Sequence, residues 1–223
     1  MLDVNPIAAN LETLRLRIAD AAREAGRDPA AVTLIAVSKT HPAGAVADAV
    51  LAGQCVFGEN RVQEAAQKFP REGARLHLIG PLQTNKVKAA LALADSIDSL
   101  DRRSLSDAIA RATDEGGGAL PDLLIQINIG DEPQKSGVPT ADADAFIRDQ
   151  TARFGAAIKG LMCIPPAFAP PAPYFRRLKA LADAHGLAVR SMGMSGDFEV
   201  AIGCGATHIR IGSALFGAQT SQN

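Results

Sequence analysis

The sequence predicts an α/β fold, a single (β/α)8 TIM-type barrel with an additional N-terminal helix. Three observations lead there. Apolar runs alternate with helical patterns about eight times along the 223 residues, and repeated βα units imply parallel strands covered by helices. Eight such units close most economically into a barrel. No Gly-x-Gly-x-x-Gly follows the first strand, which weighs against the open alternative, a doubly wound sheet with a dinucleotide site. Strand parity agrees: in Leu123 to Ile129, Gln126 and Asn128 share one face while Ile125, Ile127 and Ile129 share the other. One apolar face under helices and one face with polar groups suits a barrel with an internal site.

Taken in order, Asn5 and Pro6 read as an N-cap and first helical residue. Ile7, Leu11, Leu14, Ile18, Ala21 and Ala25 then recur at helical spacing up to Gly26. Residues 1–26 are therefore one amphipathic helix, packed outside the barrel by a single face. The barrel is assigned to 32–217, and 1–223 to a single domain. Val32-Thr33-Leu34-Ile35 opens the barrel as a buried strand, 32–38, leading to a helix at 43–52. A strand at 54–57 leads to a helix at 60–69, one at 76–79 to a helix at 84–94, and one at 95–98 to a helix at 101–113. Asp114-Glu115-Gly116-Gly117-Gly118 is a flexible connection, not a boundary, because the alternation resumes at once. A strand at 122–129 leads to a helix at 140–153 and then a strand at 158–163. Pro165, Pro166, Pro170, Pro171 and Pro173 keep the next loop extended before a helix at 174–185. Strands at 187–191 and 206–211, with a short helix at 197–203, complete the count.

Composition narrows the function. With 23 basic against 24 acidic residues and no basic stripe or charged tail, neither nucleic acid nor a membrane surface is indicated as a partner. The three cysteines, Cys55, Cys163 and Cys204, have no metal-type spacing and form no disulfide framework, so a reducing, cytoplasmic setting is expected, with the thiols in the core. The N-terminus lacks the basic flank and apolar run of a signal peptide, and the longest apolar stretch, Ala89 to Ala94, is too short to span a bilayer.

Barrel chemistry gathers at the C-terminal ends of strands. Those ends carry Lys39, then Phe57 to Arg61, His77 to Gln83, Gln126 and Asn128, Met162 to Pro165, Ser191 to Asp197, and Arg210 to Ser213. A lysine closing an apolar strand either reaches solvent on its long stem or is held in a pocket for its amine, where desolvation makes the neutral nucleophile available. Gly193 and Gly196 flank Ser195, and Gly212-Ser213 follows the last strand. Small residues let backbone N–H groups approach an anion, and loops after the seventh and eighth strands are a recurrent phosphate site of barrels; turn glycines and N-cap serines are the alternative. Arg210 shares a strand face with the last of these loops. A guanidinium among isoleucines needs an acceptor, either a ligand or an acid such as Glu59 or Asp197. An amine nucleophile, a phosphate cradle and a buried cation in one mouth point to a phosphorylated aldehyde held as a Schiff base. Pyridoxal 5′-phosphate fits, with its aldehyde on Lys39, its phosphate on Ser195, Gly212 and Ser213, and its ring nitrogen toward Arg210.

AVSKTHP (36–42), FGENRVQE (57–64), HLIGPLQTNK (77–86), INIGDEPQKSGV (127–138), GLMCIPP (160–166), SMGMSGDFE (191–199) and IRIGSALFG (209–217) together resemble the pyridoxal phosphate homeostasis proteins. That family is similar in fold to the barrel domain of bacterial alanine racemase. The resemblance implies covalent cofactor on Lys39, phosphate contacts at Ser195, Gly212 and Ser213, and Arg210 facing the pyridine nitrogen. It also places Asn60 and His77 near the cofactor. Its implied role is binding and distribution of vitamin B6 cofactor without established turnover, with apo pyridoxal phosphate-dependent enzymes as recipients.

The residues agree in part. An arginine keeps its proton, so it donates to the ring nitrogen without protonating it, and the ring is left a weak electron sink. The racemases of this fold type take a second base, a tyrosine, from an additional β-domain of a partner subunit. Here the chain stops soon after the last strand, and its one tyrosine, Tyr174, reads as core packing. His185 reads as a helix C-terminal capping residue, and His41 as a solvated loop residue, with tuning of the neighbouring Lys39 the alternative. A monomer is expected, since no apolar interface stripe is left over. The alternatives are an amino-acid racemase or related pyridoxal phosphate enzyme at the same site, and a Schiff-base lyase acting on a phosphorylated sugar.

Overall fold

The computed structural model describes residues 6–69 and 72–217. Helix α1 (Pro6–Glu24) begins on a proline, whose missing N–H is not needed in a first turn, and buries Ile7, Leu11, Leu14, Ile18, Ala21 and Ala22. Ala22 is fully buried and Ala25 only partly so. Asn5, the expected N-cap, lies outside the described residues.

The strands β1 (Thr33–Val37), β2 (Val56–Glu59), β3 (Arg75–Leu78), β4 (Ser96–Leu100), β5 (Asp122–Asn128), β6 (Val138–Pro139), β7 (Ile158–Cys163), β8 (Val189–Ser191) and β9 (His208–Ile211) are all parallel to their neighbours. β1 lies between β2 and β9, and β4 pairs with β5, so eight of them close into a barrel. The two-residue β6, absent from the sequence expectation, runs along the C-terminal end of β5. Its partner Ile127 also pairs with Cys163 of β7, so β6 occupies the edge that β4 holds lower down.

Between them run α2 (Ala43–Leu51), α3 (Val62–Ala66), α4 (Val87–Leu91), α5 (Arg103–Gly116), α6 (Ala143–Phe154), α7 (Ala172–Ala184), α8 (Phe198–Gly203) and α9 (Ser213–Phe216). Boundaries moved where side chains compete for the backbone. β2 starts two residues later than the apolar pattern predicts because Gln54 bridges the carbonyls of Leu34 and Val56 through Nε2, at 2.8 and 2.7 Å. α3 and α4 are five-residue helices where 60–69 and 84–94 were expected, α4 being preceded by a 3-10 turn at Thr84–Lys86. α5 runs on through Gly116 and stops at Gly117, whose φ of +61° a residue with a Cβ rarely adopts.

The apolar core has two layers. Ala36, Ile125, Ile127, Leu161, Ile209 and Ile211 face outward into one cluster with the helices. Ile35, Leu124 and Met162 are buried separately, on the inward faces. Gly58 leaves room inside, where a Cβ would come within 2.9 Å of Ile35 and 3.1 Å of Ile79. Inward positions further up carry Gln126, Ser191 and Arg210, so the apolar floor gives way to a polar mouth. α1 packs across α8 and α9. Asn10 donates to the Leu215 carbonyl at 2.9 Å, Arg27 to the Ile202 carbonyl at 2.8 Å, and Arg17 pairs with Glu199 while lying over the Phe198 ring. The extra helix thus braces the last two βα turns.

Candidate functional site

A cavity of about 730 Å³ opens at the C-terminal ends of the strands. Of the seven residues singled out by sequence, Lys39, Asn60, Ser195, Arg210, Gly212 and Ser213 all line it. His77 does not. It is buried lower in the barrel, with Nδ1 3.2 Å from each Asp98 oxygen and its ring 6.0 Å from that of His208. Burial alone would raise the Asp98 carboxyl, but the charge and hydrogen bond of His77, with the Ser96 hydroxyl, hold it below the usual range.

Lys39 stands one residue beyond β1: Val37 ends the strand and the intervening Ser38 is fully buried. The next residue, Thr40, has φ +65°, an uncommon conformation for a β-branched residue. Asn60 is pressed toward the cavity by the β3 loop: a Cβ on Gly80 would stand 2.5 Å from the Asn60 carbonyl. After β8, Gly193 has φ +94° and approaches Ala201 so closely that a Cβ would lie 2.5 Å from that methyl. That turn, with the Met194 N–H donating to Asp197 at 2.6 Å, presents Ser195 to the cavity. Ser213 comes from the β9 loop, its hydroxyl donating to that of Ser195 at 3.4 Å.

Arg210 is 4% exposed and in register with Ile35. Its Nη1 donates to Ser191 Oγ and its Nη2 to the Cys163 carbonyl, both at 2.8 Å. Neither acid considered from sequence pairs with it: Glu59 is bonded to Lys68 and Ser38, and Asp197 serves the Met194 turn. Among the described residues this buried cation has neutral acceptors only. Burial lowers its pKa, though a guanidinium stays protonated. Among the described residues the cavity lining includes Lys39, Lys135 and Arg210 and no carboxylate. Lys135 pairs with Glu132 outside the lining and donates to the Pro165 carbonyl at 3.1 Å. The field at the mouth therefore favours an anion.

Of the other features, His185 and Tyr174 came out as expected and the rest did not. Cys55 is exposed, so only Cys163 is fully in the core, its thiol pushed up to about 12 by burial. His41 lines the cavity and stacks on Phe216 at 4.9 Å, burial lowering its pKa, with Lys68 adding to the effect. His185 ends α7 and bonds Asp144 at 2.8 Å, and Tyr174 packs against the core. Lys135 and Ser136 line the cavity, although spacing gave them no role. A buried cluster of Glu59, Lys68 and Ser38 beneath Lys39 was missed too; the Glu64/Lys68 spacing of four residues was its one legible sign.

Residues 5–220 match the family described as "Alanine racemase, N-terminal domain". Pyridoxal phosphate homeostasis protein from Escherichia coli K12 is 41% identical, across 97% of this chain and 98% of that one. The protein of the same name from Pseudomonas aeruginosa is 42% identical, across 97% of each. The chain belongs to the pyridoxal phosphate homeostasis protein family. PipY of Synechococcus elongatus, a family structure solved with pyridoxal phosphate bound, is 35% identical and superposes with a TM-score of 0.79 over 95% of this chain and all of that one. Alanine racemase from Bartonella henselae shares the fold, with a TM-score of 0.70 at 17% identity, and this chain covers 61% of its length. Among the described residues no helix of this family member is long and apolar enough to cross a membrane, and no cluster of three His, Cys, Asp or Glu could hold a metal ion.

Proposed function

We propose that this chain binds pyridoxal 5′-phosphate covalently through Lys39 and takes part in vitamin B6 homeostasis, storing the cofactor and handing it to apo-enzymes without catalytic turnover. One observation carries the reading: one cavity, free of carboxylates among the described residues of its lining, gathers the Lys39 amine, the Ser195 and Ser213 hydroxyls and the buried Arg210, which is bonded to Ser191 and the Cys163 carbonyl. That donor set fits the cofactor. A dianionic phosphate suits the two hydroxyls and the small-residue turns at Gly193 and Gly212, and a pyridine nitrogen suits a cationic donor. When bound, the cofactor supplies an aldehyde carbon that a lysine amine can hold, with loss of water.

Each side chain then has a task. Lys39 is the tether. Ser195, Ser213 and the neighbouring backbone hold the phosphate, and Asn60 borders the same space. Arg210 donates to the ring nitrogen but retains its own proton, which disfavours the carbanion chemistry a racemase needs. The cavity mouth is rimmed by Ile164 and Met194, both partly exposed, which suits exchange of cofactor with a partner. His77 is left with a structural role in the barrel floor. The protein acts in the cytoplasm as a monomer in this reading, and a stable dimer in sedimentation would count against the latter.

Borohydride reduction of the native protein loaded with pyridoxal phosphate, followed by peptide mass spectrometry, tests the tether. A pyridoxyl group on Lys39, absent in Lys39→Ala, is expected; an adduct confined to another lysine refutes the assignment. Steady α-proton exchange of amino acids in deuterated water, dependent on Lys39, would refute the non-catalytic role.

A further inference from the structure

Lys39 is flanked on both sides by one buried ion cluster that the binding site itself does not use. On the strand side, Ser38 is fully buried. Its carbonyl accepts from Lys68 Nζ at 2.7 Å, and its hydroxyl donates to Glu59 Oε1 at 2.6 Å. On the loop side, the Thr40 N–H donates to Glu64 Oε1. The same Lys68 ammonium bonds both carboxylates, Glu59 and Glu64, at 2.8 Å each. Lys68 and Glu59 side chains are 5% and 0% exposed, while Glu64 is 25% exposed. One ammonium therefore ties together the backbone before Lys39 and the backbone after it.

Packing alone does not ask for this. The space behind β2 and α3 could be filled by aliphatic side chains, and a buried ion pair is costly to desolvate. Burial raises the Glu59 carboxyl against the opposing pull of Lys68 and Ser38, and its Oε2 has no partner among the described residues. Burial also works against Glu64, yet Lys68 and the Thr40 N–H outweigh it and hold that carboxyl low. What the cluster obtains is a fixed conformation at Thr40, whose φ of +65° persists only where the surroundings over-determine it. If the clamp were released, Thr40 would relax to negative φ and the peptide plane following Lys39 would turn. The Lys39 Cα–Cβ direction, and with it the amine, would lose its aim.

We propose that Lys68, with Glu64, is a positioning residue for Lys39, clamping the Ser38 carbonyl and the Thr40 N–H so that the amine is presented to the cavity. This rests on Lys39 being the cofactor tether. The phosphate and ring contacts come from β8 and β9, on the opposite flank of β1 from β2 and the clamp, so the clamp acts on the covalent step and leaves non-covalent binding intact.

Three measurements test it on Glu64→Ala, Glu64→Gln and Lys68→Met. Time-resolved borohydride trapping reads the rate of attachment at Lys39, and the Kd of pyridoxine 5′-phosphate, which has no aldehyde, reads the non-covalent site. Deuterium exchange at the Thr40 amide reads the clamp in the unliganded protein. Loss of a charge-assisted hydrogen bond predicts trapping slower by about tenfold or more, and Thr40 exchange faster by a similar factor, in Glu64→Ala and Lys68→Met. The pyridoxine phosphate Kd should stay within about twofold, and Glu64→Gln, which keeps an acceptor, should recover most of the trapping rate. Trapping at the wild-type rate overturns the proposal. So does a parallel loss of trapping and pyridoxine phosphate binding, which a merely structural role would give. If Lys68→Met does not fold, the part-exposed Glu64 pair decides. Absence of any adduct on Lys39 in the wild-type protein would instead sink the tether reading, whatever Thr40 exchange shows about the clamp.

Discussion

Arg210 and Ser191 meet inside the barrel across two adjacent strands, Nη1 to Oγ at 2.8 Å, with Nη2 on the Cys163 carbonyl at the same distance. A cation held by two neutral acceptors is fixed in direction but not neutralised. Such a group costs desolvation energy that its two bonds only partly offset, which is tolerable where a ligand completes the set.

Arg210→Met separates the two roles. It removes a buried charge while keeping an apolar body of similar reach, so the thermal midpoint should fall by no more than a few degrees, equivalent to about 1 kcal/mol. Pyridoxal phosphate binding should weaken by about tenfold or more, the worth of one hydrogen bond from a charged group. Equilibrium dialysis beside calorimetry checks both, and a large loss of stability with unchanged binding would make Arg210 a structural residue.

The serine pair makes a contrasting prediction. Ser195 and Ser213 touch each other at 3.4 Å, a long contact that leaves both hydroxyls free to turn toward an anion. Ser195→Ala and Ser213→Ala should each weaken pyridoxal phosphate by roughly tenfold, since each loses a bond to a charged acceptor. Pyridoxal, which lacks the phosphate, should bind all three proteins alike. Equal losses for both ligands would move the phosphate elsewhere.

Barrel and mouth were legible in the sequence because both depend on local patterns. Alternation of β and α segments gave the strand count, and strand parity put Gln126 inside and Ile125 outside, as observed. That Lys39, Arg210 and the two serine loops share one cavity was legible because strand ends are where chemistry collects, a rule that needs only the strand positions. His77 shows the limit of that rule. It sits on a strand near such an end, but it faces Asp98 on the neighbouring strand, and a cross-strand partner 21 residues away leaves no local pattern. Apart from the Glu64/Lys68 spacing, the Lys68 cluster was illegible for the same reason, since Ser38 and Glu59 lie 30 and 9 residues away in sequence. Gln54 displaced a strand boundary through side-chain bonds to two carbonyls, which hydrophobic periodicity does not register.

The histidines in the floor predict an acid response. Burial, reinforced by His77, pushes His208 down to about 4, while Asp98 opposes. Arg75 and Asp122 add smaller contributions of opposite sign. A histidine that is neutral in the fold takes up its proton in the unfolded chain first, near 6.5. Stability attributable to His208 is therefore present above that pH and is lost as pH falls from 6.5 toward 4. The loss amounts to a few kcal/mol at most, at about 1.4 kcal/mol per pH unit. Glu59, raised by burial, acts in the opposite sense at the acid end, and Asp98 in the same sense below its ordinary 3.8. Glu59 is common to wild type and His208→Asn, and Asp98, which feels the His208 charge, titrates below the range compared, so the difference between their urea midpoints above pH 4 isolates His208. That difference should shrink or change sign in favour of the variant as pH falls from 6.5 to 4. A constant difference would mean that His208 titrates normally in the fold.

Gly160 sets the tightest limit on the barrel. It stands on β7 in register with Val189 of β8, and a Cβ there would lie 1.9 Å from the Val189 carbonyl oxygen and 2.5 Å from its Cβ. No rotamer relieves a clash with backbone, so Gly160→Ala must push two paired strands apart. Because Met162 and Ser191 pair two residues further along that ladder, the displacement would reach the acceptor on which Arg210 rests. The variant should lose about 3 kcal/mol or more, in the range reserved for overpacking at a site that cannot yield. Its residual folded fraction should also bind pyridoxal phosphate more weakly than stability alone accounts for. Chemical denaturation, with binding measured well below the transition, checks the two effects. An Ala variant as stable as wild type would mean that β7 and β8 are spaced more widely than the packing of Gly160 against Val189 allows.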